Sequence, residues 1–124
     1  MRKLCVLVAL CATALPAWAG LQAGLDVMIS PGYKTASGTV GHTRRSADAV
    51  QYIYCASLAA SNGTAGGLCS AKDKTGAIAT CTTFTPAQIA VIQSVNDSSH
   101  IYFAWNDSGQ CTYVYVFNGS PYVE

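Results

Sequence analysis

Charge is scarce in this sequence. Only 10% of its 124 residues are Asp, Glu, Lys or Arg, and the single glutamate is Glu124. There is no basic stripe, and the Arg44-Arg45 doublet reads as a solvated turn, so the composition offers no electrostatic footprint for nucleic acid or an anionic membrane surface. Metal-binding spacing is missing too: Cys55, Cys69, Cys81 and Cys111 are 12 to 30 residues apart, and the only histidines are His42 and His100. A zinc site requires paired ligands two to four residues apart, so no metal is expected. No Gly-rich phosphate loop, dinucleotide fingerprint or Gly-X-Ser-X-Gly elbow occurs, and with them a cofactor and an obvious catalytic set are excluded. Beyond residue 19 no stretch is long and apolar enough for the ~20-residue membrane helix, so no membrane span is expected.

What is present begins with residues 1–19. Arg2 and Lys3 precede an apolar run from Leu4 to Ala14, followed by Pro16 and the small-residue ending Ala17-Trp18-Ala19. This is the layout of a cleavable signal peptide, with cleavage expected before Gly20 and export to the periplasm or the medium. Lipidation is disfavoured, because Leu4 and Leu10 precede Cys5 and Cys11 where a small residue is needed. Loss of 1–19 leaves residues 20–124 as the expected domain, with five cations against six anions, a net charge of about −1. It also leaves four cysteines, Cys55, Cys69, Cys81 and Cys111, an even number that reads as two disulfides in an exported chain. All four asparagines stand in Asn-X-Ser/Thr sequons, which here read as turns.

Segment 20–48 is rich in Gly, Ser, Thr and Ala, with a turn at Ser30-Pro31-Gly32 and one apolar run at 25–29; it reads as an extended N-terminal arm with one short strand. Residues 49–57 are β-branched and aromatic and read as a strand, and 60–67 as loop. Two hairpins follow from similar turn chemistry. Asp73-Lys74-Thr75-Gly76 and Asn106-Asp107-Ser108-Gly109 each suit a type I turn closed by a left-handed glycine. Between them, Thr85-Pro86-Ala87-Gln88 carries the signature of a helix start: an N-cap, a proline at the first helical position and a capping-box glutamine. Ile89, Val91, Ile92 and Val95 share one helical face, and a stop is expected near Asn96. The fold class expected is α+β, a small antiparallel sheet of about five strands in the order β-β-β-α-β-β, with one helix packed on a face, two disulfides and room for an extra N-terminal strand.

Hairpin register constrains the cysteines without choosing among them. Pairing Asp73 with Ala77 places Cys69 opposite Cys81, while symmetry about Asn62 places Cys55 opposite Cys69. Two pairings are therefore open: Cys55–Cys69 with Cys81–Cys111, or Cys69–Cys81 with Cys55–Cys111. The first avoids linking strands already held by a tight hairpin. In the second hairpin, strict alternation from a Trp105/Cys111 pair puts Phe103 opposite Tyr113 and Ile101 opposite Tyr115 on one face.

The succession Gln51-Tyr52-Ile53, Cys55, Cys69, Ala71, Asp73, Gly76, Cys81, Asp97-Ser98-Ser99, Phe103, Trp105, Gly109, Cys111 and Asn118-Gly119-Ser120 resembles a group of small exported bacterial four-cysteine proteins of unassigned function. That resemblance implies the same boundaries and brings no activity or ligand with it.

The functional reading rests on aromatics. Phe103, Trp105 and Tyr113 are expected to fill a thin core, while Tyr52, Tyr54, Tyr102 and Tyr115 exceed what about 105 residues can enclose and are the candidate binding residues. A non-enzymatic binding or inhibitor-like module acting on an extracytoplasmic protein or glycan is the reading they favour. The alternatives are a small secreted hydrolase using His42, with Asp48 as its nearest acid in sequence, and an envelope component that self-associates.

Overall fold

A computed structural model describes residues 20–123. Segment 1–19, with Cys5 and Cys11, lies outside the described residues, as does Glu124. The elements are β1 (Met28–Ser30), β2 (Thr35–Thr39), α1 (Val40–Arg44), β3 (Tyr52–Ala59), β4 (Ala65–Lys72), β5 (Ile78–Thr83), α2 (Pro86–Ile92), β6 (Ser99–Trp105), β7 (Cys111–Asn118) and a short 3-10 turn at Ser120–Tyr122.

The class is α+β, with two disulfides, but the strands form two antiparallel sheets where one of five strands was expected. One sheet runs β3-β4-β5 and the other β1-β2-β6-β7. The cause lies in segment 20–48. It is no extended arm with a single strand: it folds as the β1–β2 hairpin followed by α1, and β2 pairs along β6. Thr35–Thr39 reads as loop because it is small and polar. Its small residues serve close packing instead, since a Cβ on Gly38 would meet Val27 Cγ2 at 3.1 Å and Ile53 Cγ2 at 3.5 Å.

The same misreading affects 60–67. Only its first part turns the chain; Ala65, Gly66 and Gly67 already belong to β4. Both glycines are buried, and a Cβ on Gly67 would sit 2.8 Å from Ile92 Cδ1, so this glycine lets helix α2 approach the sheet.

The two predicted turns form as their chemistry dictates. Asp73 N–H donates to Ala77 O and Asn106 N–H to Gln110 O, both at 3.0 Å, and Gly76 and Gly109 adopt φ of +90° and +73°. Helix α2 begins after Thr85 with Pro86 in its first turn, but Thr85 makes no side-chain cap bond, and Gln88 closes no capping box. Its Nε2 instead donates to Cys111 O at 3.2 Å. The helix ends at Ile92, short of Asn96, where Ser94 Oγ and Ser94 N–H both donate to Val91 O. Asn118 Nδ2 then donates to Ser94 O, so α2 and the turn that follows it are tied to the two ends of β7.

Ile89 and Ile92 are buried, and Val91 and Val95 pack partly buried against the core. That core joins both sheets, combining Ile53, Cys69, Ala71, Ala79 and Cys81 of one with Ala36, Ile101, Phe103, Cys111 and Val114 of the other. Cys81–Cys111 is the disulfide that bridges the sheets, and beside it Thr82 N–H donates to Gly109 O at 3.0 Å. The other disulfide, Cys55–Cys69, joins opposed residues of β3 and β4. Disulfides of this kind persist in an oxidising environment. No helix among the described residues is long and apolar enough to cross a membrane.

Candidate functional site

The aromatic face of the four-stranded sheet is produced by one extra residue. Trp105 pairs with Cys111 as strict alternation requires, but Ala104 then pairs with Tyr113, leaving Thr112 as a β-bulge. From that point β7 is shifted by one. Phe103 lies opposite Val114 and Ile101 opposite Val116, so the expected pairs Phe103/Tyr113 and Ile101/Tyr115 do not form. The physical reason is burial: the shift turns Val114 inward against Phe103 and Ile101, both fully buried, and turns Tyr113, Tyr115 and Phe117 outward. Tyr113, expected in the core, is 52% exposed.

On the outer face Tyr102 is paired with Tyr115 and His100 with Phe117. Tyr102 meets Tyr113 edge-on at 6.0 Å between ring centroids, Tyr115 neighbours Phe117 at 6.5 Å, and Phe117 meets Tyr122 edge-on at 5.4 Å. His100 stacks on Tyr122 at 5.4 Å; its burial holds the imidazole below its ordinary value of 6.5, favouring the neutral ring. The residues that β1 and β2 add in register, Met28, Ser30, Thr35 and Ser37, are likewise uncharged.

Of the four predicted binding tyrosines, the structure brings Tyr102 and Tyr115 together and sets Tyr52 and Tyr54 apart. The latter two lie on the outward face of β3, in the other sheet, with ring centroids 5.7 Å apart and Tyr54 the more exposed. Tyr113, assigned to the core from sequence, and Phe117, Tyr122 and His100 were not among the candidate binding residues. The run Tyr113-Val114-Tyr115-Val116-Phe117 carried the signal, since its aromatics and valines alternate.

His42 sits on α1 in a cleft of about 470 Å³ lined by Asp26, Arg45, Ser46, Asp48 and Lys74. Its Nε2 lies 3.2 Å from Asp26 Oδ1; the acid is Asp26 rather than the sequence-nearer Asp48. Asp48 caps the following turn, accepting N–H bonds from Val50 and Gln51. Buried Gln51 joins the two acids: Nε2 donates to Asp26 Oδ1 at 3.0 Å and Asp48 Oδ2 at 2.6 Å, while Oε1 accepts from Val27 N–H at 2.7 Å. Lys74 pairs with Asp26. Ser46, which lines this cleft, donates its hydroxyl to Thr43 O at 2.9 Å. The cluster therefore works as a tie between the N-terminal hairpin, α1 and the β4–β5 turn. Among the described residues no group of three or more His, Cys, Asp or Glu side chains is placed to hold a metal ion.

This tie has a pH signature. The Gln51 and Val50 amides and the Gln51 side chain pull the Asp48 carboxyl from 3.8 down to about 2, and Lys74, then Gln51, hold Asp26 below the usual carboxylate range. A depressed folded-state value means the unfolded chain binds protons first. The stabilisation is whole above the unfolded value of 3.8 and is lost as pH falls towards about 2. Thermal melts followed by circular dichroism should therefore steepen in their pH dependence across that window, and Asp48→Asn should flatten it while lowering stability at neutral pH. An unchanged slope in Asp48→Asn would remove Asp48 from this role.

No protein-family model, curated protein or solved structure matches the chain.

Proposed function

We propose that this chain is an exported, non-enzymatic binding module that holds an extracytoplasmic protein partner against the outer face of β1-β2-β6-β7. The observation that carries this reading is the bulge at Thr112, which places Tyr113, Tyr115 and Phe117 beside Tyr102 and in contact with solvent. Tyrosine supplies large contact area with few rotors to freeze and a hydroxyl for a partner's polar groups. The rings meet edge-on at 73° and 85°, giving the surface relief instead of a common stacking plane. Such relief suits interdigitating side chains better than a row of flat sugar rings. Its lack of charge gives a phosphate backbone nothing to pair with.

The test is a pull-down from envelope extract and culture medium of the producing cells, comparing the wild type with Tyr102→Ala/Tyr115→Ala and with Tyr54→Ala. A protein recovered by the wild type and by Tyr54→Ala, and reduced about tenfold or more by the double variant, is the expected result. Recovery of polysaccharide in place of protein, equal recovery by all three baits, or repeated recovery of nothing overturns the proposal.

A further inference from the structure

Three cysteines stand in one row across the three-stranded sheet. Cys69 on β4 is directly opposite Cys55 on β3 and directly opposite Cys81 on β5. It is bonded to the first, while Cys81 is bonded outward to Cys111 of the other sheet. Opposed residues of antiparallel strands have Cα atoms ~4.5–5.5 Å apart, within the span a disulfide closes, so Cys69 has two partners in reach and uses one. Their accessibility differs. Cys69 and Cys81 are 0% and 1% exposed, whereas Cys55 is only half-buried and lies on β3, the edge strand of its sheet.

We infer that the four cysteines form a disulfide relay, in which a dithiol reductant arriving at Cys55 causes the bond between the sheets to be exchanged for a Cys69–Cys81 bond within one sheet. A thiolate of the reductant attacks Cys55 Sγ and forms a mixed disulfide, and the broken Cys55–Cys69 bond leaves its electron pair on Cys69. The Cys69 thiolate attacks Cys81 Sγ. A Cys69–Cys81 bond forms as Cys81–Cys111 breaks, and Cys111 leaves as a thiolate and takes up a proton. The second thiol of the reductant then attacks the mixed disulfide, closing the reductant's own disulfide and releasing Cys55 as a thiol. In balance, the dithiol loses two electrons and two protons, and the protein gains them as two thiols.

The consequence is displacement of the effect. Contact is made at the half-buried rim, but the covalent link that is lost is the one between the two sheets, on the opposite edge of the three-stranded sheet. The β6–β7 hairpin carrying most of the aromatic face is then held to the other sheet by packing and hydrogen bonds alone.

The test is partial reduction with limiting dithiothreitol at about pH 8, where thiolate attack is fast, followed by acid quench, alkylation and peptide mapping. Among molecules retaining one disulfide, a substantial share should carry Cys69–Cys81 with Cys55 and Cys111 alkylated. Partial reduction by a phosphine at about pH 4, where exchange is suppressed, should instead leave Cys81–Cys111 with Cys55 and Cys69 alkylated. A Cys55→Ser variant isolated in acid and then shifted to about pH 8 without reductant should move part of its free thiol from Cys69 to Cys111. The relay is overturned if Cys81–Cys111 is the bond reduced first, or if no Cys69–Cys81 bond appears at either pH. Should Cys55→Ser fail to fold, the mapping of the wild-type protein decides.

Discussion

Replacing Cys81 and Cys111 together by alanine is expected to lower the melting temperature by roughly 15–25 °C. The bridge closes a 30-residue separation, against 14 for Cys55–Cys69. In the chain-entropy account the longer loop constrains the unfolded chain by nearly 4 kcal/mol and the shorter by about 3 kcal/mol. Position widens that difference. Cys55–Cys69 links strands already paired along their whole length, whereas Cys81–Cys111 fastens two sheets that share little backbone hydrogen bonding beyond the Thr82–Gly109 contact. Both cysteines are also buried in the common core, so losing their bond disturbs packing as well as topology. Paired alanine variants compared by calorimetry under non-reducing conditions provide the measurement. Equal losses from the two pairs would show that the inter-sheet position carries no extra weight.

Phe103→Ala is expected to cost about 3–5 kcal/mol, enough to remove much of a net stability of ~5–15 kcal/mol. Phe103 is fully buried between the sheets, beside Ile101, Val114 and the half-buried ring of Trp105 at 5.9 Å. Truncation leaves a cavity that those neighbours, fixed in paired strands, close only in part. Tyr115→Ala, one face away on the neighbouring strand, should cost below about 1 kcal/mol, because its ring is 42% exposed and its loss opens no cavity. Denaturant titration of both variants measures the contrast. It also tests the bulge at Thr112, since strict alternation without it would turn Tyr113 and Tyr115 inward alongside Phe103, and Tyr115→Ala would then be nearly as damaging.

How much of this was legible beforehand can be traced to the kind of signal each element left. The two tight turns, the helix start at Pro86 and the opposition of Cys69 with Cys81 were readable because they depend on a few adjacent residues with distinctive backbone preferences. The β1–β2 hairpin was not. Thr35–Thr39 carries no periodic apolar signal, and its assignment as strand depends on long-range pairing with β6, which local composition does not express. Gly66 and Gly67 misled in the same way, because a glycine required by close packing and one required by a turn are the same letter. At the candidate site, Tyr102 and Tyr115 were legible as surplus aromatics. Their company was not, because one unpaired residue reverses the facing of all that follows it in the strand. The Asp26–Gln51 bond had no sequence signal, as its two members lie 25 residues apart and meet only after the chain folds, whereas Asp48 and Gln51 share one local turn.

The turn at residues 60–64, exposed throughout, lies inside the ring that Cys55–Cys69 closes. A protease cutting the chain there releases nothing: both new ends remain fastened a few residues away, and β3 stays in register beside β4. Nicked and intact molecules then share one size for as long as that bond endures, and a hydrolytic wound becomes a silent one.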